Sequence, residues 1–474
     1  MKGLLSAYSV RYPESLVYML QNVEYRSGPY LRWLWRVPDF SLVMRRRRLE
    51  YTKSARLLLL TLRLGMLLQV VVGFFLMMTR HNYLVGAGLV VVISYPVVWG
   101  HMVIAPLLIG RLLFIGPREN RLIAQSKQIF AKHPGILIAI AGSYGKTSMK
   151  ELLATVLAEG KKVAATPGNM NTPISHARFA SSLEGNEDIL LVEFGEGKPG
   201  DVARFAQTTQ PDIGIITGIA PAHLDQYQTL SEATDDIFSL ADYLKNQSIY
   251  VNGESSFAKA YFKPGHIVYS VLGINGWRVS DVGLSVGGIS FMLNKGTKKL
   301  NIKSSLLGRH QIGPLAFAAI LGLKIGLTVA EVERGIAKTA PFEHRMQPRN
   351  LNGAWIIDDT YNGNIDGVEA GLALLKELPA KRKIYVSPGL VDQGVETAAV
   401  HNKMGDLIAL AKPDKVVLMK NSVTDYIIKE LKQSAYAGEI QIEANPLDFY
   451  TNIEHVVASG DLVLMQNDWT DNYA

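Results

Sequence analysis

Three patterns of hydrophobic and polar positions follow one another along the chain. From Leu57 to Thr79 (LLLLTLRLGMLLQVVVGFFLMMT) a helix would be apolar on every face, with Arg63 the one charge. From Tyr83 to Ile109 (YLVGAGLVVVISYPVVWGHMVIAPLLI) there is no Asp, Glu, Lys or Arg at all. Each run exceeds the roughly 20 apolar residues that cross a hydrocarbon core, and soluble helices rarely stay apolar on all sides for so long. Only Arg80, His81 and Asn82 separate them, so the pattern predicts a transmembrane helical hairpin over residues 56–112. Pro96 and Pro106 fall inside the second span, where they kink a helix without breaking it.

From Gly135 the period changes. GILIAIAG, DILLVEFG and DIGIITGIA are continuous β-type runs, as in parallel strands buried on both faces. KTSMKELLATVLAEG reads as a helix closing at Gly160. Residues 265–305 turn β-rich with glycine turns, predicting an antiparallel patch, and two helical patterns follow. The polar stretch APFEHRMQPRN (Ala340–Asn350) marks a break. After it AWIIDD, KIYVSP, KVVLMK and DLVLMQ alternate with helical patterns, the mark of a second parallel-sheet domain. The predicted fold is therefore α/β: a P-loop-containing, mononucleotide-binding central domain over 113–340 and a C-terminal Rossmann-like α/β domain over 341–474. The two-helix transmembrane hairpin precedes them.

Charge sharpens the front. Residues 1–130 hold 17 Lys/Arg against 5 Asp/Glu, whereas the rest holds 32 against 37. The Arg45–Arg48 run with Lys53 and Arg56 precedes the first span, and Arg111, Arg118 and Arg121 follow the second. Such flanks face the cytoplasm, so a cytoplasmic (inner) membrane location is expected, with both termini and the body inside. Beside a span, the arginine run suits anionic lipid better than nucleic acid. Residues 1–55 read as an interfacial basic and aromatic segment, with Tyr30, Trp33 and Trp35 at headgroup level. The chain has no cysteine, which excludes disulfides, thiolate nucleophiles and Cys-ligated zinc.

The stretch IAIAGSYGKTSMKELL carries the candidate chemistry. Strand, Gly142-Ser143-Tyr144-Gly145-Lys146-Thr147 and helix form a phosphate-loop arrangement. Glycines let backbone N–H groups turn toward an anion, and the helix N-terminus adds its positive end. Lys146 would reach the β/γ-phosphates, Thr147 would hold Mg²⁺, and Ser148 next to it would bind ATP.

The spacing G-[ST]-x-G-K-[TS] resembles that of the muramyl (Mur) ligases and their folylpolyglutamate synthetase relatives. In order along the body, TPGNMNTPIS, VEFGEGKPGDV, TGIAPAHLDQY, GRHQIGPLAFAAILGLKIGL and EHRMQ…AWIIDDTYNGNIDGVEAGL are similar to further motifs of that family. Within it they sit nearest the branch that adds D-alanyl-D-alanine. The resemblance covers about residues 115–470. It implies a ligase in which ATP phosphorylates a carboxylate and an amine attacks the acyl phosphate.

By the same resemblance, Thr147 and Glu193 hold the ATP-linked metal, and His223 with Glu193 a second one. Arg345 touches the γ-phosphate. Asp358 or Asp359 binds the ribose, Tyr361 and Asn362 line the nucleotide, and Asn169 and Asn171 face the substrate. ATP and Mg²⁺ are the implied cofactors. The implied partners are a muramyl-peptide-like carboxylate and an amino acid or dipeptide, together with the lipid bilayer.

Four departures from the family stand out. The hairpin stands where a uridine-diphosphate-binding domain is usual, which makes a lipid-attached substrate plausible. The position of a metal-bridging carbamylated lysine is Ile237, beside Asp235 and Asp236. Either an aspartate replaces the carbamate or the second metal is weak. The adenine-facing asparagine is missing from His310-Gln311-Ile312-Gly313-Pro314, and VSPGLVDQG replaces a usual motif of the last domain. Three readings stay open on the residues: a cell-wall precursor ligase, the same chemistry on a lipid-linked or other acceptor, and an ATP-binding membrane scaffold that has lost ligation.

Overall fold

The computed structural model describes residues 5–23, 25–37, 39–40, 43, 49–79, 81–168, 170–220, 227, 229–361, 363–390, 393 and 396–467. Arg45–Arg48, Arg80, Asn169, His223 and Asn362 therefore lie outside the described residues. Contacts divide the chain into two compact units, residues 1–121 and 122–474.

In the first unit, helices Lys53–Met77 and Asn82–Met102 form a hairpin. Both are long and apolar enough to cross a membrane. Their outward faces stay exposed and apolar, including Leu57, Leu60, Leu67, Phe75, Tyr83, Val90 and Val97. Gly73 and Gly88 let the two backbones meet: a Cβ on Gly88 would lie 2.5 Å from the Gly73 carbonyl oxygen. The second helix is interrupted at Val103, inside the expected 83–109 span. The chain then continues through Ile104–Gly110 and a wider turn at Arg111–Ile115 into the helix Gly116–Lys132.

Part of the aromatic front packs against the hairpin. Tyr30, in the helix Ser27–Arg36, is fully buried, and its hydroxyl donates to the Gly100 carbonyl at 2.8 Å. Tyr12 donates likewise to Pro96 at 2.7 Å. Glycine at position 100 makes room, because a Cβ there would reach the Tyr12 hydroxyl at 2.8 Å. Trp35 is exposed. Arg63, the lone charge of the first span, pairs with Glu14 at 2.7 Å.

The second unit holds two sheets. The larger contains β1 Ile136–Ala141, β2 Val163–Ala165, β3 Ile189–Glu193, β4 Ile213–Ile216, β5 Ile249–Asn252, β6 Ile267–Ser270, β7 Gly273–Ile274, β8 Trp277–Ser285, β9 Gly288–Lys295 and β10 Lys298–Ser304. Their order is β10-β9-β8-β7-β6-β5-β4-β1-β3-β2. Strands β1 to β6 pair in parallel and β6 to β10 antiparallel. The antiparallel patch is thus a continuation of the parallel sheet. Side chains of β1 alternate between two cores, with Ile138 and Ile140 in one and Leu137, Ala139 and Ala141 in the other. That two-sided burial explains the unbroken apolar run. The following helix, Lys146–Leu157, stops three residues before Gly160, which lies in the turn beyond.

The smaller sheet has the order β11-β12-β16-β13-β14-β15. Its strands are β11 Gln347–Leu351, β12 Ala354–Asp359, β13 Arg382–Ser387, β14 Lys415–Met419, β15 Glu439–Glu443 and β16 Asp461–Gln466. Only β11 runs antiparallel to its neighbour. Part of the polar break is therefore an edge strand.

Candidate nucleotide site

Strands β3, β1 and β4 are neighbours, so their carboxyl ends bring three segments together: 142–145, 194–200 and 217–220. Such ends are where open α/β sheets bind ligands. The turn after β1 needs its glycines. Gly142 has φ +143°, and a Cβ there would lie 2.4 Å from Thr217 Oγ1; Gly145 is left-handed at φ +76°. The Ser143 N–H donates to the Gly218 carbonyl at 2.7 Å, which ties this turn to the end of β4. Lys146, Thr147 and Ser148 form the first turn of the helix.

Glu193 is the hub. Its Oε1 accepts from Thr147 Oγ1 at 3.1 Å and from Asn171 Nδ2 at 3.4 Å. Its Oε2 lies 3.2 Å from Lys150 Nζ. Its backbone is fixed as well: the N–H donates to Thr166 Oγ1, and the carbonyl is 2.8 Å from His176 Nε2. Burial pushes His176 down to about 4, so a neutral ring donates there. A hydroxyl and a carboxylate converging beside a glycine turn are the hard oxygen donors Mg²⁺ prefers. These residues fit that ion and a phosphate. Among the described residues no group of three or more His, Asp or Glu side chains gathers as a metal cluster.

Lys150 and Glu196 were not foreseen. Lys150 is fully buried one turn beyond Lys146, and besides Glu193 it donates to the Gly168 carbonyl. Glu196 receives Lys146 Nζ at 2.7 Å. The signal for Lys150 was its i+4 spacing from a lysine already aimed at the site.

Among the described residues, Arg345, Asp358, Asp359 and Tyr361 gather at the end of β12. The Arg345 guanidinium lies over the Tyr361 ring, 4.7 Å from its centre. Asp358 accepts from Thr360 and lies 3.0 Å from His344 Nδ1. Asp359 accepts from Gln466 and from the Met346 N–H, and burial pushes its carboxyl up to about 6.

One bond joins the glycine turn to this second group's domain: Tyr144 Oη donates to Asp366 at 2.9 Å, in the helix Ile365–Glu377 after β12. Tyr144→Phe is expected to cost about 1.5–3 kcal/mol, the worth of a hydrogen bond to a charged carboxylate. A melting temperature unchanged from the parent would refute that.

Of the two aspartates beside the carbamate position, Asp236 accepts from the Gly200 N–H at 2.9 Å and from the Tyr227 hydroxyl at 2.8 Å. It braces the loop after β3. Asp235 is exposed, and Ile237 sits in the core. His310 is half-buried, 2.9 Å from Gln311 Nε2, and desolvation of its ring pushes it down to about 4.

Comparison with known proteins agrees with this layout. Residues 140–322 match the Mur ligase middle domain, and residues 344–466 match the Mur ligase glutamate ligase domain. The chain belongs to the Mur ligase family. Among its curated relatives, the UDP-N-acetylmuramoyl-tripeptide--D-alanyl-D-alanine ligase of Escherichia coli (strain K12) is 26% identical over 297 residues, 60% of this chain and 64% of that protein. The enzyme of the same name from Mycobacterium leprae (strain TN) is 26% identical over 364 residues, 70% of each. The chain thus spans just under two thirds of the E. coli relative. The fold is that of MurF ligase from Thermotoga maritima in complex with ADP, with TM-score 0.64 and 20% identity over 74% of this chain and 80% of that chain. MurF from Acinetobacter baumannii gives 0.63 at 18% identity, over 74% and 77%.

Proposed function

We propose that this chain is a membrane-anchored, ATP-dependent amide ligase of cell-wall precursor synthesis. It activates a muramyl-peptide-like carboxylate for attack by an amino acid or dipeptide such as D-Ala-D-Ala. The observation that carries the reading is the convergence of Thr147 and Glu193 on the glycine turn that ends in Lys146. The names of the curated relatives support the substrate class.

In this reading the loop 142–145 and Lys146 hold the terminal phosphates and neutralise the charge that develops during transfer. Thr147 and Glu193 hold Mg²⁺, which supplies Lewis-acid polarisation of the phosphoryl oxygens. Asn171 touches Glu193 from the substrate-facing loop, so metal ligand and acceptor are positioned together. Arg345, stacked on Tyr361, takes the γ-phosphate from the C-terminal domain, while Asp358 or Asp359 takes the ribose.

Purified protein given Mg-ATP, UDP-muramyl-tripeptide and D-Ala-D-Ala is expected to release phosphate faster than with ATP alone. A second arm replaces the nucleotide-linked acceptor with a lipid-linked one. If no acceptor and amine pair stimulates turnover, the ligase reading fails and the scaffold reading takes its place.

The membrane part rests on the exposed apolar faces of both hairpin helices. Because the chain has no cysteine, single cysteines report without background. One placed at Leu67 is expected to resist a water-soluble maleimide in membranes, while one at Lys127 reacts once the cytoplasmic face is opened. Release of the protein by alkaline carbonate would overturn the anchor.

A further inference from the structure

Given the nucleotide reading above, Lys146 is meant for a phosphate, yet its ammonium is already engaged. Nζ donates to the Gly142 carbonyl at 2.5 Å and to Glu196 Oε2 at 2.7 Å, with the Ser143 carbonyl at 3.4 Å. An ammonium has three hydrogens, so a phosphate oxygen reaches it only by displacing an acceptor. Of the three, Glu196 alone is charged and alone belongs to another segment. Its side chain is nearly buried, as is that of Lys146.

Glu196 is distinct from the metal carboxylate. Glu193 gives its oxygens to Thr147, Asn171 and Lys150. The site therefore contains two lysine–carboxylate pairs, 146 with 196 and 150 with 193. The first pair is built to part. Glu196 follows the end of β3 in a stretch without regular structure, between Gly195 and Gly197. Gly195 is anchored, its N–H donating to the Asn171 carbonyl at 3.1 Å. Glycine on both sides of Glu196 leaves the backbone there the widest choice of angles, which lets the carboxylate swing away while the strand end stays fixed.

We propose that Glu196 is an internal competitor of the nucleotide: its carboxylate occupies the phosphate lysine, and its displacement sets the affinity of the site for ATP. A carboxylate and a phosphate seek the same charge-assisted bond from one ammonium. Once displaced, Glu196 still opposes a polyanion held nearby, because like charges in a poorly solvated site repel strongly. Both effects weaken binding, so removing the charge strengthens it.

The test is calorimetric titration of the full chain in detergent with ADP and with a non-hydrolysable ATP analogue, in Mg²⁺ and in EDTA. Glu196→Gln keeps the shape and loses the charge; Glu196→Ala guards against an effect peculiar to the amide. Both variants are expected to bind on the order of tenfold more tightly than the parent, with the gain kept in EDTA. Equal or weaker binding overturns the proposal. A loss confined to the Mg²⁺ arm overturns it too, by making Glu196 a metal ligand. A parent that binds neither nucleotide refutes the nucleotide reading itself. A merely structural Glu196 would lower the melting temperature and leave affinity untouched.

Discussion

Lys150→Met is expected to destabilise the protein by about 3 kcal/mol. Lys150 and Glu193 are both buried, at 0% and 1% exposure, with Nζ and Oε2 3.2 Å apart. Removing one partner of such a pair leaves an uncompensated charge away from water, which costs roughly 3–5 kcal/mol. The lower end applies because Thr147 and Asn171 still donate to Glu193. The Gly168 carbonyl also loses its donor. In a chain this long the change should appear as a fall in melting temperature of about 3–4 °C. The second substitution decides the cause. Adding Glu193→Gln removes the stranded charge, so the double variant should melt above the single one, a coupling that a double-mutant cycle isolates. A single variant that melts with the parent, or a double variant that melts lower still, would mean the pair contributes little.

The same lysine shows where sequence reasoning stopped. In KTSMKELL, Lys146 was legible because the glycine turn points at it, while Lys150 looked like an ordinary helix lysine. Its i+4 spacing puts it on the face of Lys146, but its partners Gly168 and Glu193 arrive from the turn after β2 and the end of β3, which the helix sequence does not encode. Glu196 escaped for the same reason: GEG reads as a polar turn until the end of β3 is set beside the end of β1.

In the fold, the short buried β5 (IYVN) was passed over, while the longer strands buried on both faces were legible as apolar runs. The edges were not. β11 (QPRNL) is polar with a proline, tolerable only because one side of it has no neighbour, and β15 (EIQIE) alternates at the opposite edge. The continuity of the antiparallel patch with the parallel sheet was hidden too, since it rests on the β5–β6 pairing between distant segments. At the front, the two apolar runs were plain, but the burial of Tyr12 and Tyr30 against Pro96 and Gly100 is a long-range contact.

Lys146→Ala is expected to reduce acceptor-stimulated ATP turnover by about 10²–10³-fold, the usual consequence of losing one preorganised group that stabilises developing charge. The backbone amides of 142–145 and the Thr147–Glu193 pair remain, so residual activity should survive. This variant has a second effect that must be separated from the first. Without Lys146, Glu196 is left nearly buried without its cation, and part of any loss could be unfolding. Pairing Lys146→Ala with Glu196→Gln removes the stranded charge. The double variant should regain melting temperature and stay as inactive as the single one, because relieving Glu196 supplies no cation to the phosphate. If turnover returns with stability, Lys146 is a structural partner of Glu196 and the phosphate is held by other groups. If turnover survives Lys146→Ala unchanged, the glycine turn is a tight βα connection, and the catalytic site must lie elsewhere among the loops at these strand ends.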